Sequence, residues 1–174
     1  MSKWIIDKGH SDVHFKVRYL VISSVVGSFT SFEGTVETDG DNFEGARIWF
    51  SADTSSISTN NEKRDADLRH KDFFDTAHFP KLEFSSTSYT HEGNGYILRG
   101  KLTIKGVTQQ VDLNVTQGGI EKDPEGKVKA GFELEGSVNR DKFGLIWSTL
   151  MESGAIILGE DVKIMANIQL IKVG

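Results

Sequence analysis

A period of two constrains this chain more than any other feature. From Ser11 onward, Val13, Phe15, Val17, Tyr19 and Val21 alternate with Asp12, His14, Lys16 and Arg18. That is the pattern of a strand with one apolar face. The alternation returns at Ala46, Ile48, Phe50 and Ala52, then at Leu82, Phe84, Ser86 and Ser88, then from Tyr96 through Leu98, Gly100 and Leu102 to Ile104. Gln109 to Val115, Val128 to Val138 and Val162 to Leu170 repeat it. One run changes phase: Val25, Gly27 and Phe29 share one face, Phe32, Gly34 and Val36 the other. A two-residue period shifts phase only through an extra residue, so a bend or bulge is expected at Thr30-Ser31. With a short opening strand at Trp4 to Asp7, the reading is eight long strands and one short one.

Short turn signals at Asp39-Gly40-Asp41-Asn42, His91 to Gly95 and Lys105-Gly106 join most neighbours, which makes the sheet antiparallel. Strands of this length reach roughly 30–36 Å, and so many of them with one apolar face each favour closure. The expected fold is all-β, an extended antiparallel eight-stranded barrel in a single domain over 1–174, with a sandwich as the alternative. Eighteen glycines against two prolines suit tight turns and unbroken strands.

Residues 59 to 84 interrupt the pattern. Thr59 and Glu62 have the spacing of a capping box, with Asn60 and Asn61 as rival caps. Lys63/Asp67 and Asp65/Arg69 are spaced to meet on a helix surface. Only Ala66 and Leu68 are apolar between them, so the reading is a short polar helix at about 60–70 lying on one end of the sheet structure. Phe73-Phe74 behind it reads either as a plug pointing inward or as two core residues of an ordinary crossover.

The chemistry available is mostly apolar. The net charge is −5, the charges are mixed, and no basic stripe suggests nucleic acid. The absence of cysteine rules out disulfides and thiolate chemistry. No run approaches the roughly 20 apolar residues of a membrane helix, so no stable membrane insertion is expected. Without an apolar leader the chain reads as cytoplasmic, or as periplasmic if a leader was removed. His10 and His14 suggest a metal pair, but four strand positions span about 13 Å, too far for one ion. No nucleophile motif or phosphate loop occurs. Asp65, Asp67, Asp72 and Asp75 read as a solvated helix face. Neither a metal, a cofactor nor a catalytic residue is expected. An isomerase-like enzyme would need Glu33, Asp53 or Asp112 to turn inward.

Eleven of the seventeen aromatics are phenylalanine. Phe15, Phe29, Phe32, Phe50, Phe84 and Phe132 fall on inner faces beside Val17, Leu98, Leu102 and Leu134. Phe73 and Phe74 close the set. Such a lining fits a lipid pocket or a packed core. Small inner residues such as Gly27, Gly34, Ala46, Gly100, Gly136 and Ala166 leave volume and favour a hollow barrel.

The motifs resemble the YceI-like family, the polyisoprenoid-binding, lipocalin-like barrels of bacteria. Trp4-Ile5-Ile6-Asp7 with His10-Ser11 opens the match, and Gly27-x-Phe29-x-x-Phe32-x-Gly34 follows. Next come Ser56-Ile57-x-Thr59, Arg64-Asp65-x-x-Leu68, Asp72-Phe73-Phe74-Asp75 and Phe79-Pro80. Phe84-Ser85-Ser86, Gly100-x-Leu102-Thr103-x-Lys105-Gly106-Val107-Thr108 and Asn139-Arg140-x-x-Phe143-Gly144 complete it. The resemblance implies a lipocalin-like barrel with a long pocket for an isoprenoid or similar lipid, such as a polyprenyl phosphate, a quinone tail or a fatty amide. It implies carriage, storage or sequestration and no catalysis. A role in stress response and a homodimer are further expectations, with a non-binding structural dimer as an alternative. His10, Arg64, Asn114 and Arg140 are the candidate polar contacts at the rim. Arg64-Asp65 also reads as a tether of helix to barrel, and His10-Ser11 as a hydrogen-bonded strand entrance. The segment 145–160 is expected to make a short turn or helix at Ser148 to Glu152 and then to cross one barrel mouth.

Overall fold

A computed structural model describes residues 1–19, 23–40, 42–145 and 158–174. The strands are β1 (Ser2–Ile6), β2 (Asp12–Tyr19), β3 (Ser23–Phe29), β4 (Phe32–Asp39), β5 (Asn42–Asp53) and β6 (Ile57–Ser58). After the helix α1 (Glu62–Arg69) come β7 (Lys81–Glu92), β8 (Gly95–Ile104), β9 (Val107–Lys122), β10 (Val128–Asn139) and β11 (Leu158–Lys172).

All ladders are antiparallel, and they close into a ring. The opening strand and the first long one share a single position in that ring. β1 pairs with the last residues of β11, Trp4 opposite Lys172, while β2 pairs with the first part of the same β11 edge, Val17 opposite Val162. The kink between them is a one-turn 3-10 segment at Lys8–His10, capped by the Asp7 carboxylate. β3 and β4 are likewise one strand bent at Thr30-Ser31, as the phase change required. The nine expected strands therefore make an eight-stranded barrel, consistent with the closed eight-strand expectation. Hairpins join β7 to β8 and β8 to β9, where Lys105 and Gly106 adopt positive φ of 52° and 76°.

Among the described residues the ladders carry four register shifts, one of them between Leu158 and Val162, and three bear on which side chains face inward. Between Ser86 and Ser88 the β7 register shifts, so Tyr89, opposite Leu98, continues the inner face in place of Ser88. On β5 the register shifts beside Gly45, at φ 78°, so that Phe43 and Ala46 are both buried. The third lies between Ala130 and Phe132.

The helix lies across the end of the barrel where β5 finishes and β7 begins. Its N-cap is Asn61, whose side chain accepts from the Arg64 amide, and not Thr59. Thr59 instead receives the side chains of the helix. Its amide and hydroxyl both donate to Asp65 Oδ1, at 2.8 and 2.5 Å. Arg64 Nε and Nη2 donate to the Thr59 hydroxyl and carbonyl, each at 2.8 Å. The expected Lys63/Asp67 and Asp65/Arg69 pairs do not form, and Arg69 instead lies 3.5 Å from Glu62. Asp65 is buried and is satisfied by the Thr59 amide and hydroxyl, while the half-buried Arg69 turns to Glu62. The loop after α1 rests on the β8–β9 turn: Lys105 Nζ donates to the Lys71 carbonyl, and the Phe79 ring sits over Gly106. Among the described residues no helix is long and apolar enough to cross a membrane.

Candidate functional site: an apolar cavity inside the barrel

The inner faces do not meet. They enclose a cavity of about 510 Å³. One reason lies in the glycines. A Cβ on Gly27 would stand 2.3 Å from the Phe15 ring, and one on Gly100 2.4 Å from the Phe84 ring. One on Gly136 would stand 2.3 Å from Leu113, and one on Gly34 2.6 Å from Ile6. The small residues are thus seats for large cross-strand neighbours, which lie along the wall instead of projecting into the lumen. Volume does not come from the glycines directly, because their own space is filled.

The cavity is long. β11 lines it with Leu158, Val162, Ile164, Ala166, Ile168 and Leu170, a strand length of roughly 40 Å. With the tilt usual in barrels this is about 30 Å along the axis. At the end away from α1, Phe43 and Tyr89 line it. Phe43 packs against Trp4 and Phe132 at 5.1 Å each. Tyr89 stacks on Tyr96 at 5.0 Å and donates its hydroxyl to Gln117. Burial, with a smaller contribution from Tyr96, raises the Tyr89 pKa far above the ordinary phenol value, so this end stays neutral. Toward α1, Phe74 meets Phe29 edge-on at 5.9 Å and Phe73 at 5.1 Å. Both rings of the Phe73-Phe74 pair are buried and line the cavity, so they face inward and also belong to the core.

Of the residues singled out from sequence, Phe15, Val17, Phe29, Phe50, Phe73, Phe74, Phe84, Leu98, Leu102, Phe132 and Leu134 line the cavity. Phe32 does not. It is buried beside the lumen, stacked on Phe50 at 6.0 Å. The rim candidates divide. Arg64 and Arg140 line the cavity. Asn114 is exposed and outside the lining, because its strand phase is opposite to that of Leu113 and Val115. His10 is also outside it: its Nδ1 lies 2.8 Å from Asp7, with the ring 65% exposed. Its neighbour Ser11 ties β2 to β11 by accepting from the Gln169 amide. Sequence reasoning missed Phe43, Tyr89 and Lys63 as lining residues. Gly45 beside Phe43 was the one available sign of a bulge.

Arg140 is 2% exposed and begins a 3-10 turn at Arg140–Phe143. Its Nε donates to the Gly159 carbonyl, Nη2 to Leu158 and Nη1 to Leu145. Burial lowers its pKa, opposed by Asp141 and Glu160. It therefore fastens the end of β10 to the start of β11, on both sides of residues 146–157. The expected turn at Ser148 to Glu152 and its crossing of a mouth lie outside the described residues. Glu33, Asp53 and Asp112, the carboxylates an isomerase would need, are outside the lining. Asp53 accepts from Ser31 and Asp112 lies near Arg99. Among the described residues no cluster of three or more metal-ligating side chains occurs.

A closed antiparallel barrel around one elongated apolar cavity, with a polar helix across one end, defines the structural class. The chain belongs to the YceI-like domain family, whose model matches residues 4–170. It is 35% identical over 168 residues to UPF0312 protein SAB2563 of Staphylococcus aureus, covering 96% of both chains. A UPF0312 protein of Staphylococcus epidermidis is 36% identical over the same span and coverage. Among solved structures, the YCEI protein of Campylobacter jejuni superposes with a TM-score of 0.74 at 29% identity, covering 97% of this chain and 96% of that one. BcnA of Burkholderia cenocepacia shares the fold, with a TM-score of 0.80 at 22% identity, covering 94% and 98%.

Proposed function

We propose that the barrel holds one long apolar lipid, an isoprenoid chain or a molecule of similar shape, for carriage, storage or sequestration. The observation that carries this reading is the lining of the cavity: apolar side chains follow it along β11 from Leu158 to Leu170, a run of about 30 Å along the axis, which suits an extended chain better than a compact ring system. Burying such a chain gains about 25 cal/mol per Å² of apolar area, so few polar contacts are needed to hold it. A polyisoprenoid binding domain from Saccharophagus degradans has the same fold, with a TM-score of 0.67 at 14% identity, covering 97% of both chains. That a domain of this fold binds a polyisoprenoid supports the ligand class proposed here.

The test uses a residue that contributes space. Ala166 lies at the middle of the β11 lining, opposite Leu134 and Val13. Ala166→Trp should place an indole in the lumen and lower uptake of a fluorescent prenyl probe by roughly tenfold or more, with the far-UV spectrum unchanged. Equal uptake by a folded Ala166→Trp protein would mean that the probe does not enter the barrel.

A further inference from the structure

The barrel wall carries a seam. β9 and β10 pair from Val128 opposite Lys122 to Glu135 opposite Asn114, and there the ladder ends. Neither strand ends with it. β9 continues against β8 as far as Val107 opposite Ile104, and β10 continues against β11 as far as Asn139 opposite Asp161. Over 107–113 and 136–139 the two facing edges therefore have no ladder between them. They start close together, since a Cβ on Gly136 would stand 3.1 Å from the Asp112 carbonyl oxygen. The β5–β7 ladder also stops early, at Trp49 opposite Ser85, but there the Ile48 amide donates to the Ser86 hydroxyl at 2.9 Å and continues the join.

A cleft of about 360 Å³ lies over this seam. Gln110, Asp112 and Ser137 are exposed at its lips. Val111, Val138 and Phe143 also line it, and the same three residues line the lumen. One layer of side chains thus separates the cleft from the cavity. A single side-chain hydrogen bond among the described residues spans the seam: Gln109 Nε2 donates to the Lys142 carbonyl at 3.0 Å. Parting β9 from β10 lower down breaks ladder bonds, whereas here it breaks that one bond and moves three side chains. Few shared hydrogen bonds mark a part of a fold that opens locally at low cost. Leaving along the axis at the α1 end is harder. A guest would have to displace the buried Phe73 and Phe74 and the tethers of Asp65 and Arg64 to Thr59.

Resting on the lipid-cavity reading above, we propose that the seam between β9 and β10 is a lateral portal. The guest enters and leaves the lumen through the wall, between Val111 and Val138, and the Gln109–Lys142 bond is the latch. The helix and its tethers stay in place throughout. The portal sets how fast the guest exchanges and not how tightly it is held, because the latch touches neither the lumen nor the guest.

Exchange rates of the fluorescent prenyl probe test this. The chain has no cysteine, so an introduced pair can be joined alone. Asp112→Cys with Ser137→Cys places two exposed thiols opposite each other when the ladder register is extended into the seam. Joining them with a short bis-maleimide should slow uptake and release together by roughly tenfold or more and leave Kd unchanged. Thr116→Cys with Glu133→Cys, on the same strands where the ladder is intact, should alter neither rate when joined. Gln109→Ala needs no cross-link and should speed release by up to about tenfold at unchanged Kd, the span that one hydrogen bond allows. If the joined seam exchanges probe at the parent rate, or if Gln109→Ala leaves release unaltered, the portal fails and the cavity stands. Equal slowing by the control pair would trace the effect to a stiffer barrel and overturn the portal. A changed Kd at parent rates would make the seam part of the guest's seat and overturn it too. If the parent protein binds no probe, the lipid-cavity reading fails and the portal with it.

Discussion

Gly100 shows how single residues keep this barrel open. Its inner face is occupied by the Phe84 ring, and an added methyl would stand 2.5 Å from the Ser85 carbonyl oxygen, which the sheet prevents from moving. Gly100→Ala should therefore destabilise the protein by about 2 kcal/mol or more. The measurement is the urea midpoint at unchanged slope, and a loss under about 0.5 kcal/mol would show that the wall yields there. The inner phase of Phe15, Phe84 and Leu102 was legible in the sequence because each lies in an uninterrupted run. Phe43 and Tyr89 were not, since Phe43 lies just before the bulge at Gly45 and Tyr89 just after the one at Ser86–Ser88, and an insertion puts the side chains on its two sides out of phase. Phe32 was assigned to the correct face, but periodicity does not say whether a buried ring borders the lumen or lies behind another ring.

At the level of elements, the helix is held by side chains more than by an apolar stripe. Leu68 is its one buried apolar residue, and Asp65 and Arg64 converge on Thr59. Asp65→Ala would strand the Thr59 amide, at a cost of about 1–3 kcal/mol by chemical denaturation. An unchanged midpoint would place the tether elsewhere. The existence and polarity of this helix could be read from residues 59 to 84, as could the bend at Thr30-Ser31. Its true cap could not, because Thr59, Asn60 and Asn61 offer equivalent acceptors and tertiary partners decide among them. At the other barrel end Asp7 joins three elements, with Lys129 Nζ at 3.1 Å and His10 at 2.8 Å, and Lys129 also reaches Asp123 at 3.4 Å. Burial alone would raise the Asp7 pKa, but the hydrogen bonds from His10 and Lys129 outweigh it and hold the carboxyl below its ordinary value. A carboxyl depressed on folding contributes stability that is complete above its unfolded pKa, about 3.9, and is lost as the pH falls through the folded value. Asp7→Asn should accordingly be less stable than the parent at pH 7, with the gap shrinking below about pH 4. A gap independent of pH would exclude the charge as its cause.

For the whole molecule, the alternation of apolar residues was enough to specify a long antiparallel sheet, and strand length argued for closure. The count of eight depended on something the alternation does not encode: β1 and β2 divide one edge of β11 between them, so that two segments occupy one place in the ring. Whether the interior was hollow was also beyond composition, since the same phenylalanines fill a core or line a tube according to whether glycine seats let them lie flat. The guest, if the tube holds one, must survive purification, because an apolar chain buried over this length leaves slowly into water. Native mass spectrometry of protein isolated without detergent and without solvent extraction reads this directly. The expected spectrum carries an added mass of several hundred daltons that organic extraction removes and geranylgeranyl monophosphate restores. A spectrum at the bare chain mass that no added prenyl lipid shifts would contradict the idea of a lipid-holding barrel.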